Sequence, residues 1–263
     1  MRTSALVRRC LLVCVSLAAT VPVAAAAPIV ETSDRLEINW SNLKLRYYGE
    51  ASATDALAGD GFKAAEKHAW QNGLTYATEA VRELHAKTYG TLQSDPDKLA
   101  DEARQAAHRF TASSTSYDTT YYGDGTVRVH LESQLPQALA TSAIHFHQKD
   151  ANEPAMTQYT GLVLAADKSV KPTAIYQVVD ETGAVLFDVK DMAQEAFQRH
   201  LMGRWYRRPT TAELADAVGQ RPVTLAVVAA GDGHFVAKRA DWEQALEGQR
   251  SLLVNGLVAI SLP

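Results

Sequence analysis

Gly123-Asp124-Gly125-Thr126-Val127-Arg128-Val129-His130-Leu131-Glu132 is the stretch whose reading sets the fold class. Val127, Val129 and Leu131 alternate with Arg128, His130 and Glu132, the two-residue period of a half-buried strand. The Gly-Asp-Gly turn before it signals a hairpin with a strand of about Phe110 to Tyr122, rich in Ser, Thr and Tyr. Tyr117, Tyr121 and Tyr122 read as strand packing, not as a ligand platform. Upstream, Phe62, Trp70, Leu74, Ala77, Val81 and Leu84 fall at helical spacing. They predict a helix running to about Tyr89, with Gly90 as its stop. Asp95-Pro96 opens a second helix, Pro96 to Arg109, with Asp95 as the N-cap. Leu36, Ile38 and Trp40, then Leu43, Leu45 and Tyr47, predict one long bent strand, and Thr54 to Gly59 a small-residue turn. The order is β-α-α-β-β, ending near Leu135.

A second unit starts at Tyr159. Strands are predicted over Gly161 to Ala166, Ala174 to Val179 and Ala184 to Asp188, the last two joined at the turn Asp180-Glu181-Thr182-Gly183. Residues 191–202 and Thr211 to Val218 suit helices; Val223 to Ala230 is an apolar strand. Asp241 to Gln249 is a short helix, and Leu257 to Leu262 closes with a strand. The predicted class is α+β, two small units that each pack a mostly antiparallel sheet against helices. The units span 28–140 and 159–263, with 141–158 as the linker.

Residues 1–27 have the layout of a cleaved secretory signal peptide. Arg2, Arg8 and Arg9 form its positive head, Cys10 to Ala19 its apolar stretch, and Ala24-Ala25-Ala26-Ala27-Pro28 its cleavage region. An uncleaved anchor and a lipoprotein, the latter from Leu11-Leu12-Val13-Cys14, are the competing interpretations. The apolar stretch is shorter than the roughly 20 residues of a spanning helix. Cleavage removes three arginines and no acid, taking the formal charge from −4 to −7, and removes both cysteines, Cys10 and Cys14. An acidic mature chain argues against nucleic acid as a partner. A chain of about 235 residues without cysteine suits export to the periplasm or attachment at the outer membrane.

The order of elements and several short motifs resemble the flagellar assembly T protein family and the related LPP-type envelope lipoproteins. The matching stretches are Ala64 to Tyr89 and Tyr117 to Leu131 in the first unit. In the second, Tyr159-Thr160-Gly161-Leu162-Val163-Leu164-Ala165-Ala166 is similar to the family's Y-T-G-L-x-x-D-A segment. Val179-Asp180-Glu181-Thr182-Gly183-Ala184-Val185-Leu186-Phe187 resembles its hairpin. Arg221-Pro222-Val223 onward and Leu252 to Leu262 resemble its last strands. The chain departs from the pattern at Ala166 and Asp167. The resemblance implies a non-enzymatic envelope component, in some members part of a ring around the flagellar basal body, and it carries over no catalytic residue.

Chemistry-bearing signals are sparse. His145-Phe146-His147 is the most metal-like: on a strand both histidines would share a face, with Asp150 and Glu153 as further donors, yet zinc takes three or four protein ligands. Gly59-Asp60-Gly61 and Gly231-Asp232-Gly233 are partial nucleotide-loop patterns without a third glycine, and read as turns. The chain has no G-x-S-x-G and no H-E-x-x-H. A mature chain without cysteine excludes thiol catalysis. No cofactor is expected. Arg204-Trp205-Tyr206-Arg207-Arg208 is the dense basic-aromatic patch. It predicts partner contact, because Arg, Trp and Tyr are enriched in binding hot spots. In the competing reading the aromatics are tucked into the core and the arginines stay wet. The sequence therefore points to a non-enzymatic, envelope-associated structural or assembly module acting through protein–protein contacts. The alternatives are a periplasmic protein binding a small ligand or cell-wall fragment between the units, and an envelope hydrolase with an unrecognised triad.

Overall fold

A computed structural model describes residues 27–53, 61–89, 95–141, 144–148, 158–231 and 233–263. The predicted signal peptide, apart from Ala27, and the predicted turn from Thr54 to Gly59 lie outside the described residues. Among the described residues no helix is long and apolar enough to cross a membrane.

The first sheet is built from β1 (Val30–Ser33), β2 (Leu36–Asn39), β3 (Lys44–Ser52), β4 (Thr115–Tyr121) and β5 (Thr126–Gln134). They are ordered β1-β2-β3-β5-β4, and every pairing is antiparallel. The predicted long bent strand is two strands. Asn39 Oδ1 accepts hydrogen bonds from the backbone N–H of Ser41 and Asn42, each at 3.1 Å. Such a side-chain-closed turn reverses the chain. Leu43 completes it in the left-handed region, at φ 56°.

Two helices cover one face of this sheet: α1 (Gly61–Tyr89) and α2 (Pro96–Ala112). Asp95 caps α2 as expected, accepting from Asp97 N and Lys98 N. The buried row of α1 differs from the predicted stripe. It consists of Ala65, Ala69, Gly73, Ala77, Val81, His85 and Tyr89, every fourth residue, while Phe62 is exposed. An i, i+4 row is one of the ridges by which helices pack. Small residues are required there because a Cβ on Gly49 of β3 would lie 2.0 Å from the Ala69 carbonyl oxygen and 2.2 Å from Gly73 N. Trp70, Leu74 and Leu84 pack at the flanks, half-buried.

The second sheet comprises β6 (Gly161–Ala166), β7 (Gln177–Val179), β8 (Val185–Phe187), β9 (Arg204–Arg207), β10 (Pro222–Ala229), β11 (His234–Ala237) and β12 (Val258–Leu262). Its order is β8-β7-β11-β10-β6-β12-β9. The α+β class holds, but for this unit the expectation of a mostly antiparallel sheet is corrected to a mixed one. β10–β6, β6–β12, β12–β9 and β11–β7 are parallel; β10–β11 and β7–β8 are antiparallel. The cause is visible in composition: β6 and β12 are near-continuous apolar runs, buried on both faces, as strands of parallel character are.

Helix α3 (Leu135–Ala138) follows β5 in the first unit, and short helices complete the second: α4 (Gln194–His200), α5 (Thr211–Val218), α6 (Arg239–Leu246) and α7 (Ser251–Val254). Helix α5 begins with a reciprocal cap between Thr210 and Glu213. It lies so close to β6 that a Cβ on Gly161 would sit 2.4 Å from Val218 Cβ. On this side Val163, Tyr206, Val218 and Ala259 form a small core.

The larger core runs through both units, joining Ile29, Trp40 and Leu43 to Phe197, Met202 and Trp205. Trp205 N donates to Trp40 O at 3.2 Å, Ser41 Oγ donates to Trp205 O at 2.6 Å, and Pro28 forms an antiparallel bridge with Tyr206. Part of the predicted linker is packed: Ile144 is buried, and Phe146 lies 5.4 Å from Phe197, centroid to centroid. Residues 142–143 and 149–157 lie outside the described residues.

Candidate functional site

The structure separates the basic-aromatic patch. Arg204 to Arg207 form β9, and alternation sends Trp205 and Tyr206 to opposite faces of a sheet covered on both. Trp205 is fully buried, its indole N–H donating to Thr173 O at 3.1 Å, edge-on to Tyr176 and Phe235. Tyr206 is 8% exposed. Arg204 is half-buried, and Arg207 and Arg208 are exposed. The aromatic half of the expected contact patch is therefore corrected to core, and the arginines alone remain at the surface.

His145 and His147 do not sit on a strand. His145 is exposed, while the backbone N–H of His147 donates to Met192 O at 2.9 Å and Phe146 between them anchors to Phe197. Among the described residues no group of three or more His, Cys, Asp or Glu side chains is placed to hold a metal ion. Asp150 and Glu153 lie outside the described residues. Gly231 and Gly233 flank the reversal between β10 and β11, with Ala230 N donating to His234 O, in keeping with a plain turn.

The open face of the first sheet brings together residues that the sequence had scattered. Opposite the helices, β3 presents Lys44, Arg46, Tyr48 and Glu50, and β5 presents Arg128, His130 and Glu132. The Arg128 guanidinium is clamped to Glu50 at 2.6 and 2.8 Å and lies 4.3 Å from the Tyr48 ring centroid and 5.3 Å from that of Tyr122. Glu50 thereby raises the arginine's already high pKa. Arg46 reaches Glu132 at 3.3 Å and lies 5.1 Å from the Tyr117 ring. Lys44 donates to the same carboxylate at 2.8 Å and is the first cause holding Glu132 below its usual range. The His130 ring lies between Tyr48 and Tyr117, at 5.9 and 5.8 Å.

Tyr117 reaches this face through a β-bulge. Ser116 pairs with Leu131 and Asp118 with His130, so Tyr117 is the extra residue. A bulge re-aims the side chain it carries. Tyr117 is 48% exposed and Tyr122 38%, which corrects their reading as packing residues. Tyr121 turns the other way, onto Phe62 and Glu66 of α1, with both rings exposed. The alternation of Arg128, His130 and Glu132 was the sequence signal for this face; the bulge had none.

Two further features lie beside α2. His85 of α1 is completely buried, and neither ring nitrogen makes a hydrogen bond of ordinary geometry. Burial is the main cause that pushes its pKa down; Glu102 and the Ala140 carbonyl partly oppose this, and Arg109 adds to it. Next to it, where α2 and α3 meet α4, is a cleft of about 690 Å³. Its polar lining includes His108, Arg109, Gln137, Glu195, Gln198 and Arg199. Compared with known proteins, the chain matches no family model and no curated protein.

Proposed function

We propose that this chain is an exported, non-enzymatic module of the periplasm or outer-membrane surface that works through protein–protein contacts, with the open face of its first sheet as the contact surface. One observation carries the proposal: ion-paired Arg46 and Arg128 lie over the rings of Tyr48, Tyr117 and Tyr122, with His130 between Tyr48 and Tyr117, on a face that no element of the described chain covers. Arginine and tyrosine are the residue types enriched where proteins bind. Rings already fixed by guanidinium neighbours lose little freedom on binding. Glu37, Glu50 and Glu132 of this face each sit beside a cation, so a partner meets a mixed, nearly neutral surface. The resemblance to the flagellar assembly T protein family makes an envelope ring or its assembly one setting for such a contact.

The experiment is site-specific photocross-linking in cells. A photoreactive phenylalanine analogue replaces Tyr117 in one strain and Val228, an exposed residue of β10, in another. The expected result is a discrete adduct with an envelope protein from position 117 and none from position 228. No adduct from position 117, or the same adducts from both, would overturn the proposal. N-terminal sequencing of the cellular protein tests export: an intact Met1 counts against it. A second reading, small-ligand binding, is favoured by the cleft beside α2.

A further inference from the structure

The cleft between α2, α3 and α4 draws its charges from both units. Arg109 and His108 come from α2 and Arg199 from α4; Glu195 is the carboxylate among the lining residues. Arg109 Nη2 donates to Ala140 O at 2.8 Å, and Arg199 Nε donates to Glu195 O at 3.1 Å. Each bond fixes a planar fork and leaves it further N–H donors. Neither guanidinium reaches a carboxylate among the described residues, whereas Arg46, Arg128 and Arg239 all do. Arg109 and Arg199 against the single carboxylate of Glu195 give the cleft lining a positive balance in a chain whose net charge is −4. Both stand in the last turn of their helices, where a cation also meets the helix's negative end. That effect accounts for each arginine alone. It does not account for two helices from distant parts of the chain bringing theirs to one concavity, alongside the apolar surface of Ala112, Pro136 and Ala140.

We propose that this cleft is a binding site for a small organic anion. A carboxylate or phosphate head is held between Arg109 and Arg199, the apolar part rests on Pro136 and Ala140, and Glu195 and Gln198 meet hydroxyl or amino donors of the ligand. Guanidinium forks match the geometry of both head groups, with charge-assisted hydrogen bonds that are stronger than neutral ones. A concave site with an apolar floor and a few polar groups is the usual form of a small-molecule pocket. The site does not depend on the contact face of the first sheet, so the two proposals fail separately.

The test is thermal unfolding of the purified protein with pyrophosphate and, separately, with tricarballylate, each against sodium chloride at matched ionic strength. A bound ligand raises the midpoint saturably by mass action. The expected result is a saturable rise with at least one probe, and the tighter probe identifies the head group. In the Arg109→Met/Arg199→Met variant the affinity falls about tenfold or more, the loss expected when a charged hydrogen bond is removed. Arg104→Met, on the exposed side of α2, leaves it unchanged. If the double variant does not fold, Arg109→Lys and Arg199→Lys singly keep the charge, lose the fork and weaken binding. A rise no greater than that with chloride, or one that persists in the arginine variants, would overturn the proposal and leave the arginines as helix-end cations only.

Discussion

The two sheets handle the same kinds of residue in opposite ways. Tyr48, Tyr117, Arg46 and Arg128 of the first sheet stand on its open side, rings and guanidinium groups against one another. Tyr206 and Trp205 of the second lie beneath its helices and the neighbouring unit. An antiparallel sheet tolerates one wet face, whereas a sheet of parallel character is covered on both. The difference teaches that a basic-aromatic cluster becomes a surface or a core according to the sheet it joins, not according to its composition.

The largest test of this contrast is Trp205→Ala. Removing a fully buried indole from the core that joins the units is expected to destabilise by about 3–5 kcal/mol, measured by denaturant unfolding. Arg207→Ala and Arg208→Ala should each stay within about 0.5 kcal/mol. A mild effect at Trp205 would return the patch to the surface. Next comes Gly49→Val, which thrusts a side chain into the backbone of α1 at Ala69 and Gly73. Overpacking at such a contact is expected to cost about 1–3 kcal/mol or more, read from the same unfolding curves. Full tolerance would mean that α1 does not lie on β3.

A third prediction concerns acid. His85 in the first unit is buried and His200 in the second is half-buried; burial is the first cause lowering the pKa of each, and Arg204 and Arg199 add to it for His200. The unfolded chain binds these protons more readily than the folded one. Stability is therefore full above the ordinary histidine pKa of about 6.5 and declines as pH falls toward the depressed folded values. One such proton contributes at most about 1.4 kcal/mol per pH unit. His85→Leu should flatten the decline more than His200→Leu; an equal or reversed order would mean that α1 and α2 do not enclose His85.

The smallest effect on stability is expected at the open face. Tyr117→Ala and Arg128→Ala should each change it by about 1 kcal/mol or less, the scale of exposed ion pairs and cation–π contacts. They should nonetheless abolish the adduct trapped from neighbouring positions of the same face. A large stability loss instead would make these residues structural and dissolve the contrast between the sheets.

Much of the fold was legible because it is local. Asp95-Pro96 announces α2, the period of α1 gives its length, and Gly123-Asp124-Gly125 reverses the chain between β4 and β5. The candidate site was less legible. Arg128, His130 and Glu132 showed by alternation that they share a face, but Tyr117 joins them only through a one-residue bulge. Arg109 and Arg199 stand far apart in sequence, with nothing in either neighbourhood to mark a shared cleft. The apolar continuity of Gly161 to Ala166 is the sequence sign of a strand buried on both sides.

By itself the amino-acid sequence determined which stretches become helix or strand, where most turns fall, and the α+β class, since these follow from residue periods and from caps and turns a few positions long. Tertiary structure alone decided which strands are neighbours beyond the hairpins, that the second sheet is mixed, and which aromatic rings meet water. Those outcomes depend on partners as distant as Ser41 and Trp205, 164 residues apart, and no local pattern encodes a hydrogen bond across that separation.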